Sequence, residues 1–166
     1  IDTKDTDDKM PTPVLLQSGE PMKDIIDIAG TMTYTIFVQE SGIAFASSNF
    51  LDQSTVSTPL EREIPITRLF PVMENITQVA CGVNHTVFLN ENFEAFSCGT
   101  NDVGQLGLGL ENQTVRVYIP VKVPVPSSSE GTNIDFTRVA CGEDHTMFLT
   151  NLKTAYGCGR NRYHQL

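Results

Sequence analysis

Hydrophobic and polar positions in the middle of the chain fall into short alternating runs. Residues 77–81 form a mostly apolar run that ends in the small residue Cys81, and Gly82 follows as a turn. A β-branched and aromatic run, His85 to Leu89, comes next; a polar connection of four residues, Asn90 to Phe93, then leads into a second run, Glu94 to Cys98. Two extended runs joined by a short polar connection predict a β-hairpin. Because strand side chains alternate, Thr86 and Phe88 fall on one face, and Val87 and Leu89 on the other. Both faces are apolar enough to suit a strand covered on both sides. The hairpin is expected to set Leu89 beside Glu94, with Cys98 opposite about His85. No heptad or 3.6-residue stripe of useful length appears, so helix content should be low.

The same grammar recurs along the chain. Residues 28–38 read IAGTMTYTIFV, residues 79–89 VACGVNHTVFL and residues 139–149 VACGEDHTMFL. Tyr34, His85 and His145 align with spacings of 51 and 60, and each alignment continues without a gap into AFASSN (44–49), AFSCGT (95–100) and AYGCGR (155–160). GTNDVGQL (99–106) then meets GRNRYHQL (159–166). The run GTNDVGQLGLG carries four glycines in eleven residues, the mark of a compact turn. A further strand is expected over Val115 to Val123, where Pro120, Pro124 and Pro126 place it at a sheet edge. Ser127 to Gly131 reads as a surface loop and accounts for the longer second spacing. Short strands repeating with a period near 50 predict the blades of an all-β propeller with antiparallel sheets. A β-solenoid is the second architecture considered; its repeats are usually shorter.

Composition changes this picture little. The 166 residues are 40% hydrophobic and 19% charged, with a net charge of −9. An acidic surface disfavours nucleic acid, unless some face is locally basic, and disfavours anionic membrane. It attracts a basic patch on a partner. No stretch approaches the ~20 apolar residues of a membrane-spanning helix. Residues 1–10 are polar and acidic and read as a flexible solvated segment. The aspartates Asp2, Asp5, Asp7 and Asp8 lack the Gly and Glu positions of a calcium loop. The chain starts without Met and stops inside its third Gly-Gln-Leu-type motif, so a piece of a longer protein is expected.

The pattern V-A-C-G-x-x-H-T-x-x-L, a hairpin, then G-x-N-x-x-G-Q-L-G resembles the regulator of chromosome condensation repeat. The likeness is close over residues 76–110 and good over 134–166. Over 25–50 it is degenerate, with Tyr34 in place of His. It covers about residues 11–166, divided into repeats at roughly 11–70, 71–130 and an incomplete 131–166. The resemblance implies a seven-bladed propeller, of which this chain supplies about three blades. Such an arc is expected to pack against further blades or a second copy. The resemblance also implies a structural role for His85 and His145, and for Gly82, Gly142, Gly99, Gly159, Gly104, Gln105, Leu106 and Gly107. His164 stands in a Gly slot of that motif.

Candidate chemistry is sparse. Cys81 and Cys98 are 17 apart, as are Cys141 and Cys158, and no C-x-x-C knuckle for zinc occurs. Buried free thiols fit better than a disulfide and suit a reducing, cytoplasmic or nuclear compartment. The sequons at Asn75, Asn84 and Asn112 matter only on a secretory route. Gly99 to Gly104 resembles the opening of a phosphate loop, but Gln105 and Leu106 stand where Lys and Ser/Thr belong. No catalytic motif, metal set or cofactor is expected. The turns Gly82-Val83-Asn84 and Gly142-Glu143-Asp144 remain. The resemblance places such turns on one rim of the ring, where members that act on a Ran-type GTPase contact it. Glu143, Asp144 and Asn84 are therefore the candidate partner-binding residues. The expected function is a non-catalytic protein-interaction scaffold. The alternatives are an exchange factor for a Ran-type small GTPase, or a regulatory propeller attached to a catalytic domain elsewhere.

Overall fold

The computed structural model describes residues 14, 20–47, 66–68, 75–109, 115–126 and 133–166. These contain eleven strands and no helix, arranged in three antiparallel sheets. The first sheet, blade 1, runs β1 (Ile25–Gly30), β2 (Thr35–Gln39), β3 (Ala44–Ser47) and β4 (Ile66–Arg68). Blade 2 runs β5 (Ile76–Cys81), β6 (His85–Asn90), β7 (Ala95–Thr100) and β8 (Arg116–Lys122). Blade 3 comprises β9 (Phe136–Cys141), β10 (His145–Thr150) and β11 (Ala155–Gly159). Within each sheet, every strand hydrogen-bonds to the next in sequence, as in a meander, and the chain passes from one sheet to its neighbour. This is the propeller architecture. The acidic segment 1–10, Asn112 and the loop 127–131 lie outside the described residues.

The hairpins inside the three blades share one turn. Asn90 N–H donates to Glu94 O (3.1 Å), and Phe93 N–H to Asn90 O (3.0 Å), with Phe93 in the left-handed region at φ 61°. Thr150 to Thr154 repeats this with Lys153 at φ 62°, and Gln39 to Ile43 with Gly42 at φ 76°. The left-handed residue adds one position to the connection, as in three-residue hairpin loops. Leu89 therefore pairs with Ala95 and not with Glu94, and every later pair shifts by one. Cys98 faces Thr86, and Gly99 faces His85.

The apolar cores lie between the sheets. Ile36, Val38, Ala44 and Ala46 of blade 1 pack with Ile76, Val79, Phe88 and Cys98 of blade 2. Val87, Leu89 and Ala95 of blade 2 pack with Phe136, Val139 and Phe148 of blade 3, together with Val123. The rings of Phe136 and Phe148 meet at 4.8 Å between centroids. The alternation in β6 thus sends Phe88 toward blade 1, and Val87 and Leu89 toward blade 3. All six residues of β6 are buried. A single sheet has no interior of its own here, so its hydrophobic stabilisation comes from stacking.

Polar links reinforce each stack at repeating positions. β1 and β5 each carry a bulge near their start. The Asp27 carboxylate accepts from Val79 N (2.8 Å), and the Gln78 carboxamide oxygen from Val139 N (3.0 Å). The hairpin turn of one blade also accepts from the first strand of the next: Ile76 N–H reaches Gly42 O (3.0 Å) and Phe136 N–H reaches Phe93 O (3.3 Å).

β8 pairs only with β7 among the described residues, so it is an edge strand with Pro120 inside it. Gly99 and Gly159 close each blade against its inner turn, with φ near 109° and 104°. A Cβ on Gly99 would sit 2.4 Å from Asn84 O and 2.6 Å from the His85 Cα, whereas one on Gly104 (φ 81°) would meet nothing within 4 Å. Gly99→Ala should therefore lower stability by several kcal/mol, or about 3, while Gly104→Ala should cost about 1 kcal/mol from backbone conformation alone. Urea titrations of the two variants, read by far-UV circular dichroism, check this ordering.

Candidate protein-binding rim

Beneath the rim, each blade is fastened to the next through a strand-start side chain. In blade 1 the Tyr34 hydroxyl meets Thr86 Oγ1 of blade 2 at 2.9 Å. In blade 2, His85 Nε2 meets Thr146 Oγ1 of blade 3, also at 2.9 Å. Thr146 Oγ1 donates its proton to Gln105 O at 2.7 Å. A hydroxyl has one proton, so Thr146 must accept from His85, and the imidazole is the Nε2–H tautomer. The other ring nitrogen, Nδ1, is buried without a hydrogen-bond partner. His85 is fully buried, and burial pushes its imidazole down to about 4 against the attraction of Asp144, with His145 acting in the same direction as burial.

The ring lies directly on Gly82, where a Cβ would come within 2.2 Å of it; His145 covers Gly142 in the same way. This explains the G-x-x-H spacing. Where Tyr34 replaces His, Thr31 stands in the Gly slot, and its Oγ1 accepts from Tyr34 N (3.1 Å). In all three copies the slot residue donates its N–H to the carbonyl of the strand-start residue, at 2.8, 2.9 and 3.0 Å. Tyr34, His85 and His145 therefore occupy like backbone surroundings.

The cysteines flank the threonines. Cys81 and Cys98 pair with Thr86 from opposite sides, and Cys141 and Cys158 with Thr146. A whole strand separates each pair, about two interstrand spacings or ~9.5 Å, beyond disulfide reach. All four are free thiols. Burial pushes the thiols up, to about 11 for Cys81 and Cys158 and about 12 for Cys141, which keeps them protonated and weakly nucleophilic. Among the described residues no group of three or more His, Cys, Asp or Glu could hold a metal.

The Gly-rich loop of blade 2 is packed between blades. Gln105 and Leu106 are buried; Gln105 takes Val103 N–H on its Oε1 (3.1 Å) and donates to Asp102 (3.0 Å). Asn101 Oδ1 accepts from Leu106 N (3.1 Å), and Ser97 Oγ donates to Leu106 O (2.8 Å). Gly104 stands exposed at the loop tip, whereas a Cβ added to Gly107 would meet Cys158 Sγ at 3.1 Å.

Above the latch, three turns gather: Thr31-Met32-Thr33, Gly82-Val83-Asn84 and Gly142-Glu143-Asp144. Val83 N–H donates to Glu143 O across the blade boundary (3.0 Å). The turns line an open cleft of about 500 Å³ whose walls include Thr31, Met32, Gly82, Val83 and Glu143. Met32 is 79% exposed, and Asn84 and Glu143 are exposed. Asp144 differs. Its carboxylate is held by Arg160 at 2.9 Å, with the acid side chain only 17% exposed. Sequence reading missed Thr86, Thr146, Asp27, Gln78 and Arg160. The first four keep the 51 and 60 spacings, so the repeat alignment contained the signal; Arg160 does not recur.

Stacked four-stranded and three-stranded sheets with their turns on one rim define a repeat propeller. Comparison with known proteins gives the particular family. Two models described as the regulator of chromosome condensation (RCC1) repeat match, one over residues 94–149 and one over 76–105 and 136–165. Together they span more than half of the chain, and the chain belongs to the RCC1-repeat family. It is 39% identical over 93 residues to the rat "Probable E3 ubiquitin-protein ligase HERC4", covering 55% of this chain and 8% of that protein. It is 33% identical over 113 residues to the human "RCC1-like G exchanging factor-like protein", covering 66% of this chain and 21% of the relative. Its fold matches yeast RCC1 (Prp20), crystallised with Kap60 bound, at a TM-score of 0.63 and 24% identity, over 83% of this chain and 30% of that one. The chain spans about a fifth or less of the length of these two relatives.

The buried latch sets an acid limit on stability. An unfolded imidazole takes a proton near pH 6.5, whereas His85 takes one only near 4, so the unfolded state binds more protons between those values. The stability that His85 contributes is fully present well above pH 6.5 and should fall by roughly 3 kcal/mol as the pH drops to 4. Thr146→Val removes both hydrogen bonds at once and should cost about 2–4 kcal/mol at neutral pH. Urea unfolding at several pH values checks both.

Proposed function

We propose that this chain is a non-catalytic interaction scaffold that holds a protein partner on the cleft formed by its three inner turns. The observation that carries this reading is the convergence of Met32, Val83 and Glu143 on one cleft, with Val83 and Glu143 fixed to each other through the backbone. Rigid loops on a stacked frame lose little entropy on binding. Met32 supplies an adaptable apolar contact, and Glu143 a charge with no ion pair among the described residues. The partner surface is apolar with a basic residue beside it, in keeping with the net charge of −9. Asp144 serves the reading indirectly, by clamping Arg160 and so holding the turn.

A second reading is favoured by the exchanging-factor-like relative, which shares 33% identity over two thirds of this chain. In it, the same turns engage a Ran-type GTPase and stabilise its nucleotide-free state. The ligase relative supports a third arrangement, a propeller attached to a catalytic domain.

Release of labelled GDP from a Ran-type GTPase separates the first two readings. The scaffold reading expects no acceleration by the 166-residue chain; acceleration reversed by Glu143→Lys would establish the exchange reading in its place. For the scaffold, quantitative co-precipitation should show partner recovery falling about fivefold or more with Glu143→Lys. Unchanged recovery would remove this turn from the contact.

A further inference from the structure

The Gly-rich loop occurs twice, with one skeleton and opposite chemistry at its tip. In residues 101–106, Gly104 N–H donates to Asn101 O (3.2 Å), Val103 N–H to Gln105 Oε1 (3.1 Å) and Leu106 N–H to Asn101 Oδ1 (3.1 Å). In residues 161–166 the same three bonds join His164 to Asn161 (3.4 Å), Tyr163 to Gln165 (2.8 Å) and Leu166 to Asn161 (3.1 Å). The tip that reads Asp102-Val103-Gly104 in blade 2 reads Arg162-Tyr163-His164 in blade 3.

Blade 2 shows where such a tip points. Blade 3 packs beside it and buries Gln105 and Leu106, yet Asp102 and Gly104 stay exposed and Val103 is 37% exposed. The tip faces solvent by the construction of the loop. Arg162, Tyr163 and His164 are likewise exposed, Tyr163 at 84%. His164 holds a left-handed φ of 57°, where Gly104 has 81°. A side chain at that φ costs backbone energy that glycine avoids.

The charges are also distinct. Arg160 is committed to Asp144, whereas Arg162 has no ion pair among the described residues. Arg and Tyr are among the residue types enriched at protein-binding hot spots, and here they stand exposed and adjacent in sequence on a prefolded loop. Arg binds carboxylates bidentately, and a Tyr ring covers an apolar neighbour. A nucleic-acid backbone needs a stripe of cations, and this tip offers one free Arg on a chain of net charge −9.

We propose that the Arg162-Tyr163-His164 tip docks a short acidic segment of a partner protein, carboxylate on Arg162 and an apolar side chain on Tyr163. The site goes beyond the cleft reading above; it is of opposite charge, on a separate loop, and independent of Glu143. The test is fluorescence anisotropy of the 166-residue chain with a labelled peptide of alternating Asp, Glu and Gly around one Phe. The same peptide with Lys for each acid, and a labelled oligothymidylate, serve as comparisons. Saturable binding of the acidic peptide alone is expected. Arg162→Glu should weaken it about tenfold or more and Tyr163→Ser about threefold, while Lys153→Gln, which removes an exposed cation elsewhere on blade 3, leaves it within about twofold. A thermal melt confirms that each variant is folded, and Arg162→Gln replaces Arg162→Glu if the latter melts early. Absence of saturable binding, equal binding by the Arg162 variant, or tighter binding of the oligothymidylate would overturn the proposal.

Discussion

The structure depends on a hydrogen bond made between sheets. His85 crosses from blade 2 to donate to Thr146 of blade 3, and the Thr146 hydroxyl in turn donates a hydrogen bond to the Gln105 carbonyl. Tyr34 makes the matching contact with Thr86 one blade earlier. These links sit in the layer where the apolar cores lie, because no blade encloses a core of its own. Stacking brings polar strand-start residues into a dry boundary, and each must find its partner in the neighbouring sheet. The G-x-x-H spacing follows, since the ring can reach across only if no Cβ stands on the turn beneath it.

The repeat made most of the fold legible. Offsets of 51 and 60 located the recurring strands, the prolines marked the edge position of β8, and apolar residues on both faces announced the two-sided burial of β6. Register was less accessible, because it hinged on one residue: Phe93 adopts a left-handed backbone that glycine would have announced, and this moved Cys98 from His85 to Thr86. The inter-blade partners were present in the alignment but silent. Thr86 and Thr146 look like ordinary strand residues until the sheets are stacked. At the rim, Asp144 read as an exposed acid beside Glu143, and only the fold shows Arg160, sixteen residues on, closing over it. His164 is visible as a departure from the Gly pattern, but its exposure depends on the loop skeleton.

Functionally, the latch ties the rim turns to the blades beneath them. Turns of three blades are held in fixed relation by buried hydrogen bonds and by the backbone link from Val83 to Glu143. Opposite charges then occupy separate places: Glu143 at the cleft, and Arg162 at the loop tip of blade 3. The RCC1-repeat family supplies the frame, and the contacts proposed for this chain rest on these surface residues. The same frame in relatives of different names shows how little the fold alone decides.

The most direct measurement of the central claim is the protonation of the His85 ring, from nitrogen chemical shifts in long-range proton–nitrogen correlation spectra recorded across pH. The latch requires the proton on Nε2 at neutral pH, a bare Nδ1, and no titration until the pH approaches about 4. A ring carrying its proton on Nδ1, or titrating near 6.5 like an exposed imidazole, would contradict it.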